Sequence, residues 1–131
     1  MQTQQTQPLR KILIVEDDLN MAATYAGFLR EQGYNVRIET HGDKALLAVD
    51  VFFPDLIILD IILPGLDGFS VIETLRKQED TKQIPILVVS NLVDKDKINM
   101  AVKLGAQDYI TKPNLTMDYL NEKIKWLLKL H

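Results

Sequence analysis

Two rhythms of apolar and polar residues alternate along this chain. Short, nearly unbroken aliphatic runs occur at 11–16 (KILIVE), 55–60 (DLIILD) and 84–90 (IPILVVS). Each has the length and composition of a strand covered on both faces. Between them, apolar residues recur three and four positions apart, the period of a helix with one buried face. Residues 19–32 carry Met21, Tyr25, Phe28 and Leu29 at that spacing and stop at Gly33. Residues 43–53 place Ala45, Val49 and Phe52 on one side and stop at Pro54. A third helix over 67–78 presents Val71, Ile72 and Leu75. A fourth over 94–104 turns Ile98, Ala101 and Val102 inward before Gly105, and a fifth over 115–130 aligns Met117, Leu120, Ile124, Leu127 and Leu128. Two further strands are predicted at 35–40, where alternation suits a position nearer the edge, and at 108–111.

Strict alternation of strands and helices predicts an α/β fold. The expected architecture is a doubly wound sandwich with a five-stranded parallel sheet in order 2-1-3-4-5, flavodoxin-like. Ligands of such sheets sit beyond the carboxyl ends of the strands. The residues at those ends are Glu16, Asp17 and Asp18 after the first strand, Asp60 after the third, Ser90 after the fourth, and Thr111 and Lys112 before Pro113 after the fifth. Asp60 is the anomaly of the pattern. It is the one carboxylate within the aliphatic stretch from Leu56 to Leu63.

Composition narrows what this edge does. At 131 residues and 47% hydrophobic content the chain suits one domain with a full core, read as 10–131 behind a flexible polar extension at 1–9. A net charge of -3 gives no support to nucleic-acid binding through bulk charge. The absence of cysteine excludes disulfides, thiolate metal sites and cysteine nucleophiles. No apolar run approaches the ~18 residues of a membrane span, and the start is not a signal peptide. A cytoplasmic protein without membrane insertion is expected.

Glu16, Asp17 and Asp60 converge from adjacent strand ends, and three carboxylates so close repel unless some protonate or a cation joins them. Oxygen ligands without His or Cys favour a hard ion, and few protein ligands with room for water and phosphate favour Mg2+ over a calcium cage, with Mn2+ as a substitute. A cation, Lys112 and the Ser90 hydroxyl around a carboxylate suit phosphoryl transfer onto that carboxylate.

The stretches ILIVEDD (12–18), PDLIILDIILPGLDG (54–68), ILVVS (86–90) and GAQDYITKP (105–113) together resemble the response-regulator receiver domain of two-component signalling, of the single-domain, chemotaxis-regulator-like kind. The resemblance spans about residues 10–130. It implies that Asp60 accepts a phosphoryl group from a histidine kinase, a phosphotransfer protein or a small phosphodonor. Asp17, Asp60 and the main-chain carbonyl of Ile62 would bind Mg2+, with Glu16 acting through water or from behind. Ser90 and Lys112 would hold the phosphoryl oxygens, and a cis Lys112–Pro113 bond is implied. Tyr109 matches the aromatic switch residue that turns inward when Ser90 moves, and the readout face would be the fourth helix, fifth strand and fifth helix. Ile62, Asn91 and Leu92 stand where such proteins tune phosphoryl lifetime. Two aliphatic side chains there, with Asn91 narrowing access, imply slow self-dephosphorylation. No enzymatic activity beyond this self-chemistry is expected.

Other readings weigh less. Asp18 is expected to cap the first helix. The 94–97 charges read as a solvated helix face, Trp126 falls off the buried stripe, and His41 and His131 read as surface residues. A pseudo-receiver that never takes phosphate is the alternative function. A covalent aspartyl phosphatase would need an acid where Ile62 stands, and a flavin site would not tolerate EDD after the first strand. The downstream target is a separate protein or a missing output domain, with a stand-alone receiver expected, as monomer or phosphorylation-dependent dimer.

Overall fold

A run of aliphatic residues with no polar face is stable only between two layers, and the four-residue central strand β3 (Leu56–Leu59) has that place. The computed structural model describes residues 8–129. Among them the elements are β1 (Lys11–Val15), α1 (Leu19–Glu31), β2 (Asn35–Glu39), α2 (Gly42–Phe52), β3, α3 (Gly68–Lys77), β4 (Ile86–Ser90), α4 (Lys95–Leu104), β5 (Asp108–Thr111) and α5 (Met117–Leu127). All pairings are parallel and the order is β2-β1-β3-β4-β5, the expected doubly wound, flavodoxin-like fold.

Alternate residues of the inner strands feed two cores. Ile12, Ile14, Leu56, Ile58, Leu87 and Val89 face α1 and α5, where Tyr25, Leu29, Leu120 and Ile124 meet them. Leu13, Val15, Ile57, Leu59, Ile86 and Val88 face α2, α3 and α4, where Val49, Val71, Ile72, Leu75 and Ala101 meet them.

Several boundaries differ from the pattern's expectation, each for a local reason. β4 starts at Ile86 because the Ile84 N–H closes a turn on Thr81 and Pro85 has no N–H to pair. α5 starts after Thr116, whose hydroxyl accepts the Tyr119 N–H, while Leu115 closes the preceding 3-10 turn (Lys112–Asn114). The Lys112–Pro113 bond is trans, as are all peptide bonds of the described residues, against the expected cis form. Proline fits the first turn of this 3-10 helix, and trans is the ordinary form of an X–Pro bond by about 0.5–1 kcal/mol. Val102 is half exposed rather than inward, because α4 buries a narrow stripe centred on Ala101.

Trp126 is exposed, as are Asp94 to Lys97. His41 is half-buried at the start of α2, with its ring on the Thr40 hydroxyl. His131, Leu130 and most of the expected 1–9 extension lie outside the described residues; Pro8, Leu9 and Arg10 are exposed coil. No helix among the described residues is long and apolar enough to cross a membrane.

Candidate phosphoacceptor site

The sheet's hydrogen bonding continues one residue past β1 and β3, and this sets the carboxylates. The Asp60 N–H donates to the Val15 carbonyl at 3.0 Å, and the Glu16 N–H to the Glu39 carbonyl at 3.0 Å. Glu16 and Asp60 thereby stand side by side at the rim, only 2% and 4% exposed. Asp18 then turns the chain into α1, its carboxylate capping the Asn20 and Met21 N–H groups as expected. Behind Asp60, α3 begins almost in contact with the strand end. A Cβ on Gly68 would lie 2.5 Å from the Asp60 carbonyl oxygen and 2.6 Å from Ile61 Cα, so glycine is what allows α3 to sit there.

Carboxylate oxygens of Glu16, Asp17 and Asp60 lie within 4.8 Å of one another. Lys112 enters from the turn after β5 and places Nζ 2.8 Å from Glu16 Oε1 and 2.8 Å from Asp60 Oδ2. The other Asp60 oxygen, Oδ1, accepts the Ile62 N–H at 3.2 Å, and Glu16 Oε2 accepts the Asp18 N–H at 3.1 Å. Burial pushes the Glu16 carboxyl up from its ordinary value. Hydrogen bonds from Lys112 and Asp18 oppose the rise, and the neighbouring Asp60 charge adds to it. Burial alone would lower the Lys112 ammonium, but its hydrogen bonds to Asp60 and Glu16 outweigh that and the net shift is upward. One buried cation faces three acids, so the cluster carries a surplus of negative charge.

A cleft of ≈ 270 Å³ opens over this group, lined by Asp17, Asp60, Ile62, Asn91 and Lys112 among others. Three carboxylates without nitrogen or sulfur donors, closely set beside this open cleft, fit a hard divalent cation. Asp17, Asp60 and Glu16 are the residues that could hold it, and Ile62 lines the same cleft.

Of the expected site residues, Glu16, Asp17, Asp60, Ile62, Asn91 and Lys112 line this cleft, whereas Ser90, Leu92 and Tyr109 form a linked group at the end of β4. Ser90 is fully buried at the end of β4, and its Oγ accepts the Leu92 N–H at 3.2 Å. Leu92 is half-buried, packed against the core that faces α2, α3 and α4. Tyr109 is packed inward already, its hydroxyl donating to the Leu92 carbonyl at 2.6 Å. Burial pushes its phenol up, with Ser90 opposing. Leu92 thus holds Ser90 through its N–H and Tyr109 through its C=O. Met21 also lines the cleft, and Tyr25 lines a neighbouring cavity that Met21 and Lys112 share. In the sequence they carried only the signal of a helix's buried face.

The family model described as response regulator receiver domain matches residues 12–125. The chain is 36% identical over 121 residues to the alkaline phosphatase synthesis transcriptional regulatory protein PhoP of Bacillus subtilis (strain 168), covering 92% of this chain and 49% of that protein. The chain spans about half the length of the curated relatives it matches. A CheY-like response regulator receiver domain protein from Methanospirillum hungatei JF-1 superposes with a TM-score of 0.87 at 29% identity, over 93% of this chain and 95% of that one. The receiver domain of sensor histidine kinase PA1611 from Pseudomonas aeruginosa PAO1, solved with a magnesium ion coordinated in its active-site cleft, gives 0.85 at 26% identity, over 93% of this chain and 99% of that one.

Proposed function

This chain belongs to the response regulator receiver domain family, and on that premise we propose that it is a phosphoacceptor switch working through Asp60. A phosphohistidine on a sensor kinase or phosphotransfer protein, or a small phosphodonor, supplies the phosphoryl group. The observation that carries the reading is the set of restraints on one carboxylate. Asp60 is buried at a strand end, held at one oxygen by Lys112 and at the other by the Ile62 N–H, with Glu16 and Asp17 alongside.

An Asp60 oxygen attacks phosphorus, the phosphorus–nitrogen bond breaks, and the imidazole leaves with the bonding pair. Lys112 is placed to neutralise charge on the transferred group and to hold Asp60 aimed. Bound Mg2+ would offset charge on the phosphoryl oxygens and on the acids. Reversal is hydrolysis: water attacks phosphorus, releasing phosphate and the free carboxylate. The apolar Ile62 at the cleft offers no group to orient that water, so release is slow.

Readout runs through Leu92. If the Ser90 hydroxyl turns to a phosphoryl oxygen it releases the Leu92 N–H, and the same residue anchors Tyr109. The face formed by α4, β5 and α5 then changes to engage a downstream target. The setting is the cytoplasm, where kinases of this class present their phosphohistidine.

Incubation with acetyl phosphate and Mg2+ tests the reading. Intact mass gains one phosphoryl group in the wild type and none in Asp60→Asn. A folded wild type that binds Mg2+ yet takes neither phosphoryl group nor beryllofluoride is a pseudo-receiver, and the proposal fails.

A further inference from the structure

Tyr25 does more than fill the core beneath α1. Its side chain is 97% buried by virtue of 3% exposure, yet its hydroxyl has no protein hydrogen-bond partner. Buried hydroxyls are nearly always satisfied, by protein or by ordered water. The residue borders a cavity of ≈ 320 Å³ between α1 and the Lys112–Asn114 turn, which is also lined by Thr24, Met21 and Lys112. Lys112 therefore stands between two spaces, the acidic cleft on one side and this cavity on the other.

The donor count points the same way. A lysine ammonium has three N–H donors in fixed tetrahedral directions. Two are spent on Glu16 Oε1 and Asp60 Oδ2, each at 2.8 Å. Thr24 adds an acceptor at the wall, since its hydroxyl donates to the Asn20 carbonyl and keeps its lone pairs. Burial pushes the Tyr25 phenol up to about 12, with Lys112 opposing and Glu16 and Asp60 adding, so the hydroxyl is neutral at ordinary pH and lies within the field of the same charged group.

We propose that Tyr25 is a positioning residue for Lys112, its hydroxyl joined through a water in this cavity to the third ammonium N–H. The polar residues that line it are Lys112, Tyr25, Thr24 and Asn20. They are enough to supply the roughly two to four partners that hold an ordered water. The link backs Lys112 from the side opposite the carboxylates, and limits how far the ammonium is drawn toward Glu16 when a phosphoryl group arrives on Asp60.

The inference rests on the phosphoacceptor reading for its functional consequence, but not for its structural one. Two measurements on Tyr25→Phe keep them apart. Phosphorylation by acetyl phosphate at saturating Mg2+ falls about 3- to 10-fold, the worth of one ordinary hydrogen bond. In spectra of 15N-labelled lysine side chains, the Lys112 ammonium protons exchange faster with solvent than in the wild type. A folded variant with wild-type rate and wild-type ammonium exchange overturns the proposal. So does a slower rate with unchanged exchange, which would make Tyr25 merely structural. A wild type that takes no phosphoryl group at all defeats the phosphoacceptor reading instead, and the ammonium exchange still decides the role of Tyr25.

Discussion

Lys112 is the residue on which the site's electrostatics turn. It is the buried cation facing Glu16, Asp17 and Asp60, and it contacts two of them at 2.8 Å. Replacing it with methionine leaves buried carboxylates without a counter-charge, a loss of up to about 3–5 kcal/mol in unfolding experiments. Millimolar Mg2+ should return part of that, because it binds the folded cluster and not the unfolded chain. Equal loss with and without Mg2+ would mean that the acids are not a cation site. Asp60→Asn works in the opposite direction: it removes one of the crowded charges, so the protein stays folded with an unchanged or higher melting temperature. Unfolding of that variant would make Asp60 a structural residue.

The tyrosines give a second check at this scale. Burial raises the phenols of Tyr34, Tyr109 and Tyr25, the last to about 12. A raised value means that the folded state holds the proton more tightly than the unfolded one. The associated stability is complete below the free-phenol range near ~10 and is lost as pH climbs through the folded values. Ultraviolet titration should therefore show these phenols ionising late, with urea unfolding becoming easier over the same window. Ionisation of Tyr25 near the free value in folded protein would contradict its burial.

Among the elements, α3 and α4 illustrate two kinds of constraint. Gly68 lets the start of α3 press on the backbone of Asp60 and Ile61. Gly68→Ala must push that backbone away, costing about 1–3 kcal/mol of overpacking and slowing phosphorylation as Asp60 shifts. Arg76, on α3, binds the Gly105, Thr81 and Ile84 carbonyls and Gln107 Oε1 at the opposite end of the sheet. Arg76→Met should lower stability by about 1.5–3 kcal/mol while leaving the phosphorylation rate unchanged. A slower rate would mean that the two ends are coupled. The glycine was visible in the sequence at the start of the predicted third helix, but its need for close approach depends on where α3 docks. The arginine gave no signal at all, since its partners come from two separate connections, Thr81 and Ile84 between α3 and β4 and Gly105 and Gln107 between α4 and β5.

For the whole molecule, the alternation of aliphatic runs and helical periods was enough to read the fold, because a parallel sheet covered on both faces leaves a direct imprint on sequence. The strand-end rule likewise brought Glu16, Asp17, Asp60 and Lys112 to one place. What escaped was set by tertiary context. The narrow contact stripe of α4 turned Val102 outward, and the Lys112–Pro113 bond is trans. Tyr25 escaped because a buried aromatic at helical spacing looks like any other, and its unpaired hydroxyl exists only in three dimensions.

The central claim is that one particular carboxylate takes the phosphoryl group. Reductive trapping with borohydride after acetyl phosphate treatment converts an aspartyl phosphate to homoserine, and peptide mass mapping locates it. The account predicts homoserine at position 60 alone, dependent on Mg2+ and absent without phosphodonor. Modification at Asp17 or elsewhere, or none in protein that is folded and supplied with Mg2+, would contradict it.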